Sequence, residues 1–89
     1  MPDTDLPSEL PAVAAEFTIE PFVPGDPGPH VQAAIDACLQ AGLDVEVEPF
    51  GTRIDGGSDQ VATAVGDLTR AAFRAGASRV SLQVNRHPS

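Results

Sequence analysis

The order of alternating and helical segments constrains the fold of this chain most strongly. Apolar and polar residues alternate over four segments, as is typical of half-buried strands: residues 14–22, 43–48, 52–55 and 79–85. Between them, apolar residues recur at spacings of three and four, which predicts two amphipathic helices with the stripes Val31, Ala34, Ile35, Cys38, Leu39 and Val61, Ala64, Val65, Leu68, Ala72, Phe73. The predicted order is β-α-β-β-α-β.

Residues at the ends of these segments support the predicted order. Gly42 and Gly76 are expected to end the two helices, and Ser58 or Asp59 to cap the start of the second. The short link at residues 49–51 predicts an antiparallel hairpin. Because parallel strands joined by a helix cross over right-handedly, both helices fall on one face of one sheet. We therefore predict the α+β class: a two-layer ferredoxin-like sandwich with an antiparallel four-stranded sheet.

The length of 89 residues allows one domain. Residues 1–13 contain three prolines and three acids and predict a disordered lead-in, which leaves residues 14–86 as the domain. With Cys38 as the single cysteine no intramolecular disulfide can form, and the two histidines lack zinc-site spacing. A small domain without a disulfide or a structural metal is expected to gain stability by forming a homodimer or homotetramer.

The charge of the chain excludes some partners. Thirteen acidic residues against five basic ones give a formal net charge of −8. Such a surface repels phosphate backbones and anionic headgroups, so neither nucleic acid nor membrane is an expected partner, whereas a small cationic ligand is compatible. The absence of an apolar run of about 18 residues and of a signal peptide predicts a cytoplasmic protein.

Polar residues occupy the sheet face that the helices leave open. By alternation this face carries Thr18, Glu20, Glu46, Glu48, Arg53, Arg79, Ser81 and Gln83. Both charge signs are present, so neighbouring strands can pair them. The face is therefore either solvated or forms a polar contact in a symmetric oligomer, and the small size favours the oligomer.

Motifs for catalysis are missing from the sequence. It contains no nucleophile elbow, phosphate-binding loop, HExxH or paired-cysteine motif. Cys38 lies within a helical apolar stripe, where a buried and inert thiol is expected. We therefore predict no catalytic residues, no metal site and no cofactor, and hence a protein that is not an enzyme.

The segment at residues 48–57 is the most unusual. By alternation Thr52 points toward the helices, where its hydroxyl either bonds a backbone carbonyl or lines a small pocket between sheet and helices. Phe22 and Phe50 would form apolar walls of that pocket, and Asp55 would supply a carboxylate. Two aromatic rings and a carboxylate suit a flat, cationic, hydrogen-bonding ligand.

Thr18 and Glu20 are weaker candidates for the ligand-binding site. Alternation places them on the face opposite Thr52. There they could contribute only at an oligomer interface.

Three stretches of the chain resemble the YkoF-like thiamine-binding family: EFTIEPF (residues 16–22), AGLDVEVEPFGTRIDGG (41–57) and AGASRVSLQV (75–84). Pro49, Thr52, Ile54, Asp55 and Gly56 match one family motif, and Gly76, Arg79 and Val80 match another. The resemblance covers residues 15–86. It implies a ferredoxin-like fold, homo-oligomers and non-catalytic binding of thiamine or its hydroxymethylpyrimidine moiety.

This sequence departs from the family pattern in two respects. Asp55 stands where glutamate is more common, and phenylalanine is the only aromatic type present. The leading hypothesis is a carrier or sensor of thiamine or hydroxymethylpyrimidine. The alternative is an oligomeric structural or regulatory assembly domain without a small ligand.

Overall fold

A computed structural model describes residues 12–21 and 28–87. Strand β1 (Ala12–Glu20) is followed by helix α1 (Pro29–Gln40), the strands β2 (Asp44–Glu48) and β3 (Gly51–Gly57), helix α2 (Ser58–Arg74) and strand β4 (Arg79–Arg86). The four strands form one antiparallel sheet in the order β2-β3-β1-β4. The predicted α+β fold with ferredoxin-like βαββαβ order is confirmed.

The core lies between the helices and one face of this sheet. Residues with little or no exposed surface come from both helices and from the central strands: Ala15, Phe17, Ile19, Ala34, Cys38, Ile54, Val61, Ala64, Leu68 and Ala72. These are the residues whose spacing predicts a helical stripe or an alternating strand. Burial of their apolar side chains supplies the main driving force for folding.

The residues at which the helices begin and end agree in part with the prediction. Gly42 and Gly76 have positive φ angles of 81° and 105°, which glycine adopts readily, and each follows the end of a helix as predicted. The predicted cap of α2 is wrong by at least one residue. Gly57 is the N-cap, and the Gln60 side chain accepts a hydrogen bond from its backbone N–H. Ser58 is already helical because β3 runs directly into α2.

Strand β1 begins at Ala12, two residues before the predicted start. Val13 belongs to the core and pairs with Gly56 and Arg86, so these first residues are held by both neighbouring strands. The predicted disorder of the lead-in therefore cannot extend to residues 12 and 13, and residues 1–11 lie outside the described part.

Several apolar residues expected to be buried are exposed. The register places Val47, Leu82 and Val84 on the helix face, in line with buried residues of β3 and β1, yet all three are exposed. They lie on the edge strands β2 and β4, beyond the area that two helices cover. Leu39 and Phe73, at the margins of the helical stripes, are exposed as well.

Neither helix in the described part of the chain has the length and continuous hydrophobicity that crossing a bilayer requires.

Candidate functional site

An open depression of about 710 Å³ lies on the sheet face that the helices leave uncovered. One row of the sheet runs across it, from Glu48 through Gly51 and Thr18 to Ser81. The adjoining row supplies Glu46, Glu16 and Gln83, and the hairpin turn supplies Pro49 and Phe50. The volume falls within the range of about 300–1,000 Å³ typical of small-molecule sites.

Gly51 makes room at the centre of this depression. A Cβ atom at this position would lie 3.1 Å from the carbonyl oxygen of Phe17 and 3.3 Å from Cγ2 of Thr18. Both distances are shorter than ordinary van der Waals contacts. Any larger side chain at residue 51 would therefore displace its neighbours and occupy space beside Thr18.

Phe50 lies beside this central row in the two-residue turn between β2 and β3. It is 73% exposed, a large value for a phenylalanine. The turn holds the ring near the depression without burying it in the core. An exposed aromatic ring at the margin of a concave polar surface is suited to stacking on a flat ligand.

The charge of the depression is negative. Three carboxylates line it, from Glu16, Glu46 and Glu48, and no lysine or arginine among the described residues does. Arg53, in the same sheet row, pairs with one of these carboxylates as well as with Asp55: two of its nitrogens donate to Asp55 at 3.1 Å each, and a third lies 3.8 Å from Glu16. The pKa of Arg53 is raised, chiefly by the hydrogen bonds to Asp55, so it remains charged.

Three of the predicted site residues line the depression, namely Thr18, Phe50 and Thr52. Asp55 does not, because its carboxylate faces Arg53 and lies 3.7 Å from His87. Glu20 is outside as well and lies 3.8 Å from Arg79, the type of sheet-face pairing that the alternation predicts. Phe22 lies outside the described residues.

This depression lies on the opposite side of the sheet from the pocket that the sequence predicts between sheet and helices. Among the described residues, the layer between sheet and helices contains core side chains such as Phe17, Ile54 and Leu68, which have 3% exposed surface or less. Thr52 itself is 4% exposed and is opposed to Phe17 in the register, so its side chain lies on the helix side of the sheet and it contributes to the floor. Within the described residues its hydroxyl has no hydrogen-bond partner.

The sequence predicts this polar face but not the depression on it. Alternation predicts Glu46, Glu48, Ser81 and Gln83 on this face and indicates either a solvated face or an oligomer contact. The missed signal is the contrast within that face, where Gly51 and small polar residues are surrounded by glutamates. Whether such a pattern forms a hollow depends on the sheet register, which alternation alone does not supply.

The other reactive groups lie outside the depression. Burial, with a smaller contribution from Asp67, raises the pKa of the Cys38 thiol to about 11, so this thiol is protonated and unreactive at neutral pH. In the described part of the chain, no three histidine, cysteine, aspartate or glutamate side chains are close enough to hold a metal ion. The site residues therefore offer carboxylates, hydroxyls, an amide and an aromatic ring.

The fold and the depression define a ferredoxin-like domain with an acidic, open hollow on one face of its sheet. The sequence model of the thiamine-binding proteins matches residues 15–87, almost all of the described chain. The chain belongs to this family, and its resemblance to the YkoF-like group is confirmed. A search of curated protein sequences gave no significant match.

Solved structures with the same fold come from bacteria and archaea. A domain of unknown function, DUF77, from Bacillus cereus is 27% identical with a TM-score of 0.67, and the match covers 89% of this chain and 79% of that one. A hypothetical protein of Methanocaldococcus jannaschii is 23% identical with a TM-score of 0.67, over 90% and 86% of the two chains. A Thermotoga maritima protein, provisionally described as a thiamine biosynthesis/salvage protein, is 24% identical with a TM-score of 0.51, over 84% and 81%.

Proposed function

We propose that this protein binds thiamine or its hydroxymethylpyrimidine moiety without transforming it, in the depression on the open sheet face, as a carrier or sensor. The observation that carries the proposal is the lining of that depression, in which three carboxylates and an exposed phenylalanine surround small polar residues. Membership of the thiamine-binding family supports it independently.

The electrostatics favour a cation over an anion. Thiamine carries a fixed positive charge on its thiazolium ring, and carboxylates within a few ångströms stabilise such a charge. Glu46 and Glu48 project from the edge strand β2 beside the depression, and neither has an ion-pair partner among the described residues. The ion pairs of Arg53 among the described residues are with Asp55 and Glu16.

The remaining lining groups suit the aminopyrimidine ring. Thr18, Ser81 and Gln83 offer hydroxyl and amide groups that both donate and accept hydrogen bonds. Phe50 and Pro49 provide an apolar wall at the hairpin end. The proposed ligand would place its ring against that wall and its charge toward the glutamates.

Isothermal titration calorimetry tests this function directly. We expect saturable heat with thiamine, weaker heat with hydroxymethylpyrimidine, which lacks the thiazolium, and none with an anionic control such as inorganic phosphate. Glu48→Gln should weaken thiamine binding about fivefold, since a carboxylate about 4 Å from a cation near a wet surface contributes on the order of 1 kcal/mol. Asp36→Asn, an exposed change on α1, is the matched control and should leave the affinity unchanged.

Two results would contradict the proposal. The first is absence of heat at millimolar thiamine, and the second is an equal loss of affinity in the Asp36 and Glu48 variants. The first result, together with a stable oligomer in light scattering, would favour the assembly domain without a ligand, which the exposed apolar residues on β2 and β4 also fit.

A further inference from the structure

The open face of the sheet carries more negative than positive charge. Residues that alternate along a strand, or that oppose one another across the register, share a face. By this rule the carboxylates of six residues and the guanidinium groups of two lie on the open face: Asp44, Glu46, Glu48, Asp55, Glu16 and Glu20, with Arg53 and Arg79. Glu46 and Glu48 line the depression and have no ion-pair partner among the described residues. The depression therefore lies in a negative electrostatic field.

The positive groups of the chain are few, and those on the open face pair with carboxylates of the chain itself. The sequence contains five arginines and no lysine. Arg53 pairs with Asp55 and Glu16. The guanidinium of Arg79 lies 3.8 Å from the carboxylate of Glu20. The remaining arginines lie on α2 and at the end of β4, away from the lining of the depression.

Helix termini do not contribute to the depression either. Proteins hold phosphate groups with arginine forks, with lysine, or with the free N–H groups at the start of a helix. The described lining residues belong to the four strands and to the turn between β2 and β3, and none of them belongs to a helix. A phosphate group in the depression would therefore meet carboxylates without a cation to compensate it.

We propose that the site selects the unphosphorylated ligand, so that thiamine binds and its phosphate esters are excluded. This inference rests on the proposed function and adds the class of ligand to it. The hydroxyl group of thiamine is carried on a hydroxyethyl arm of the same thiazolium ring that bears the positive charge. A pose that brings this ring toward Glu46 and Glu48 brings the hydroxyl group there as well.

Phosphorylation of that hydroxyl reverses the net charge of the ligand. A phosphate monoester carries a charge of about −1.5 to −2 at pH 7, which outweighs the single positive charge of the thiazolium. The depression crosses strands spaced about 4.8 Å apart, so the groups of a bound ligand stay within about one Debye length, about 8–10 Å, of its carboxylates. Attraction thus becomes repulsion, and we expect the monophosphate to bind at least about tenfold more weakly than thiamine.

This selectivity assigns the protein a place in a reaction sequence. The ligand is bound before a phosphoryl group is transferred to its hydroxyl, or after a phosphate ester has been hydrolysed. A carrier of this kind takes up the free ligand, and phosphorylation of the hydroxyl by an enzyme promotes release. A sensor of this kind responds to the free ligand and not to the phosphorylated pool.

Arg79 is the group that could oppose this selectivity. It shares the open face with Ser81, at the margin of the depression, and its side chain is 68% exposed. Its partner Glu20 is also largely exposed, and such a pair is weak enough to exchange. We expect Arg79→Gln to change the affinity for the monophosphate by less than about threefold. A loss of about tenfold with thiamine binding unchanged would show that Arg79 holds the phosphate, and would overturn the proposal.

Isothermal titration calorimetry with three ligands separates charge from size. Thiamine and O-acetylthiamine, a neutral ester of the same hydroxyl, should bind within about threefold of each other, and thiamine monophosphate at least about tenfold more weakly. Raising the salt concentration from about 0.01 M to about 1 M shortens the Debye length from about 30 Å to about 3 Å, and should reduce the difference to less than about threefold. Equal binding of thiamine and the monophosphate would overturn the proposal. So would an equally weak acetyl ester, or a difference that salt does not change.

A matched pair of double variants locates the source of the selectivity. Glu46→Gln with Glu48→Gln should weaken thiamine binding, leave or improve monophosphate binding, and lower the preference at least about fivefold. Asp36→Asn with Asp59→Asn changes the net charge equally on the outer surface of the helices and should leave the preference unchanged. All four residues are exposed, so folding should persist, which circular dichroism would verify.

The outcomes distinguish this inference from the proposed function. An equal loss of preference in both double variants would overturn the inference, because net charge and not the depression would then select the ligand. Binding of thiamine without discrimination against the monophosphate would overturn the inference alone. Absence of heat with all three ligands at millimolar concentration would overturn the proposed function and this inference with it.

Discussion

Replacing Thr52 by valine should make the protein more stable, although it removes a polar group from the middle of a strand. Thr52 is 4% exposed, and its hydroxyl has no hydrogen-bond partner within the described residues. Valine has the same shape and favours strands equally well. The change therefore removes a desolvated hydroxyl without creating a cavity.

The magnitude follows from the environment of the side chain. An unsatisfied buried hydroxyl costs about 1–3 kcal/mol, and a buried methyl group contributes about 0.8 kcal/mol. Allowing for partial relaxation, we expect the free energy of unfolding to rise by about 1–2 kcal/mol. For a domain of this size each kcal/mol raises the melting temperature by about 4–8 °C.

Urea denaturation and calorimetry measure this effect, and Thr69→Val is the matched control. The Thr69 hydroxyl donates to the carbonyl of Val65 at 2.6 Å, so its removal relieves no unsatisfied group and should not increase stability. A loss of 1 kcal/mol or more in Thr52→Val would refute the reasoning, since the hydroxyl would then have a partner. The same variant tests the predicted ligand contact: with the side chain on the helix side, thiamine affinity should stay within about twofold, whereas a direct hydrogen bond would cost about 1 kcal/mol.

Four other changes have defined outcomes. Phe50→Ala should weaken thiamine binding about fivefold to tenfold by loss of ring stacking, with little loss of stability, and calorimetry showing equal affinity would exclude the ring from the site. Ile54→Ala, in the core of β3, should lower the unfolding free energy by about 2–5 kcal/mol in denaturant titrations. Gly56→Ala should cost about 1–3 kcal/mol in the same assay, because its Cβ would lie 2.5 Å from Cδ2 of Leu43. Because the pKa of Cys38 is raised to about 11 in the folded state from an ordinary 9.0, stability should fall as the pH rises from 9 through 11, and Cys38→Ala should flatten this dependence.

Much of the fold could be predicted because local patterns and global architecture agree. The stripe through Val61, Ala64 and Leu68 has a helical period, and the alternation through Phe17 and Ile19 has a strand period. Each pattern leaves one apolar face that must be covered, and few topologies cover both. The errors fall at the ends of elements, as at the cap of α2 and the start of β1, where local signals are weakest.

The site could be predicted only in part, for a different reason. Alternation places Thr18, Glu46 and Ser81 on the correct face, but these residues belong to three different strands. Their assembly into one row depends on the strand order and register. Asp55 lies outside the depression, and its pairing with Arg53 on the same strand could be assigned only once side-chain positions were available.

The sequence by itself determined the class of fold, the acidic character and membership of the thiamine-binding family, because these depend on residue type and local spacing. The tertiary structure decided which face of the sheet is hollow, which residues meet there, and which strands form the edges of the sheet. The physical reason is that the burial of a side chain depends on which other elements pack around it. Thr52 and Val47 have similar side chains opposed in one register, yet one is covered by the core and the other is 59% exposed at the sheet edge.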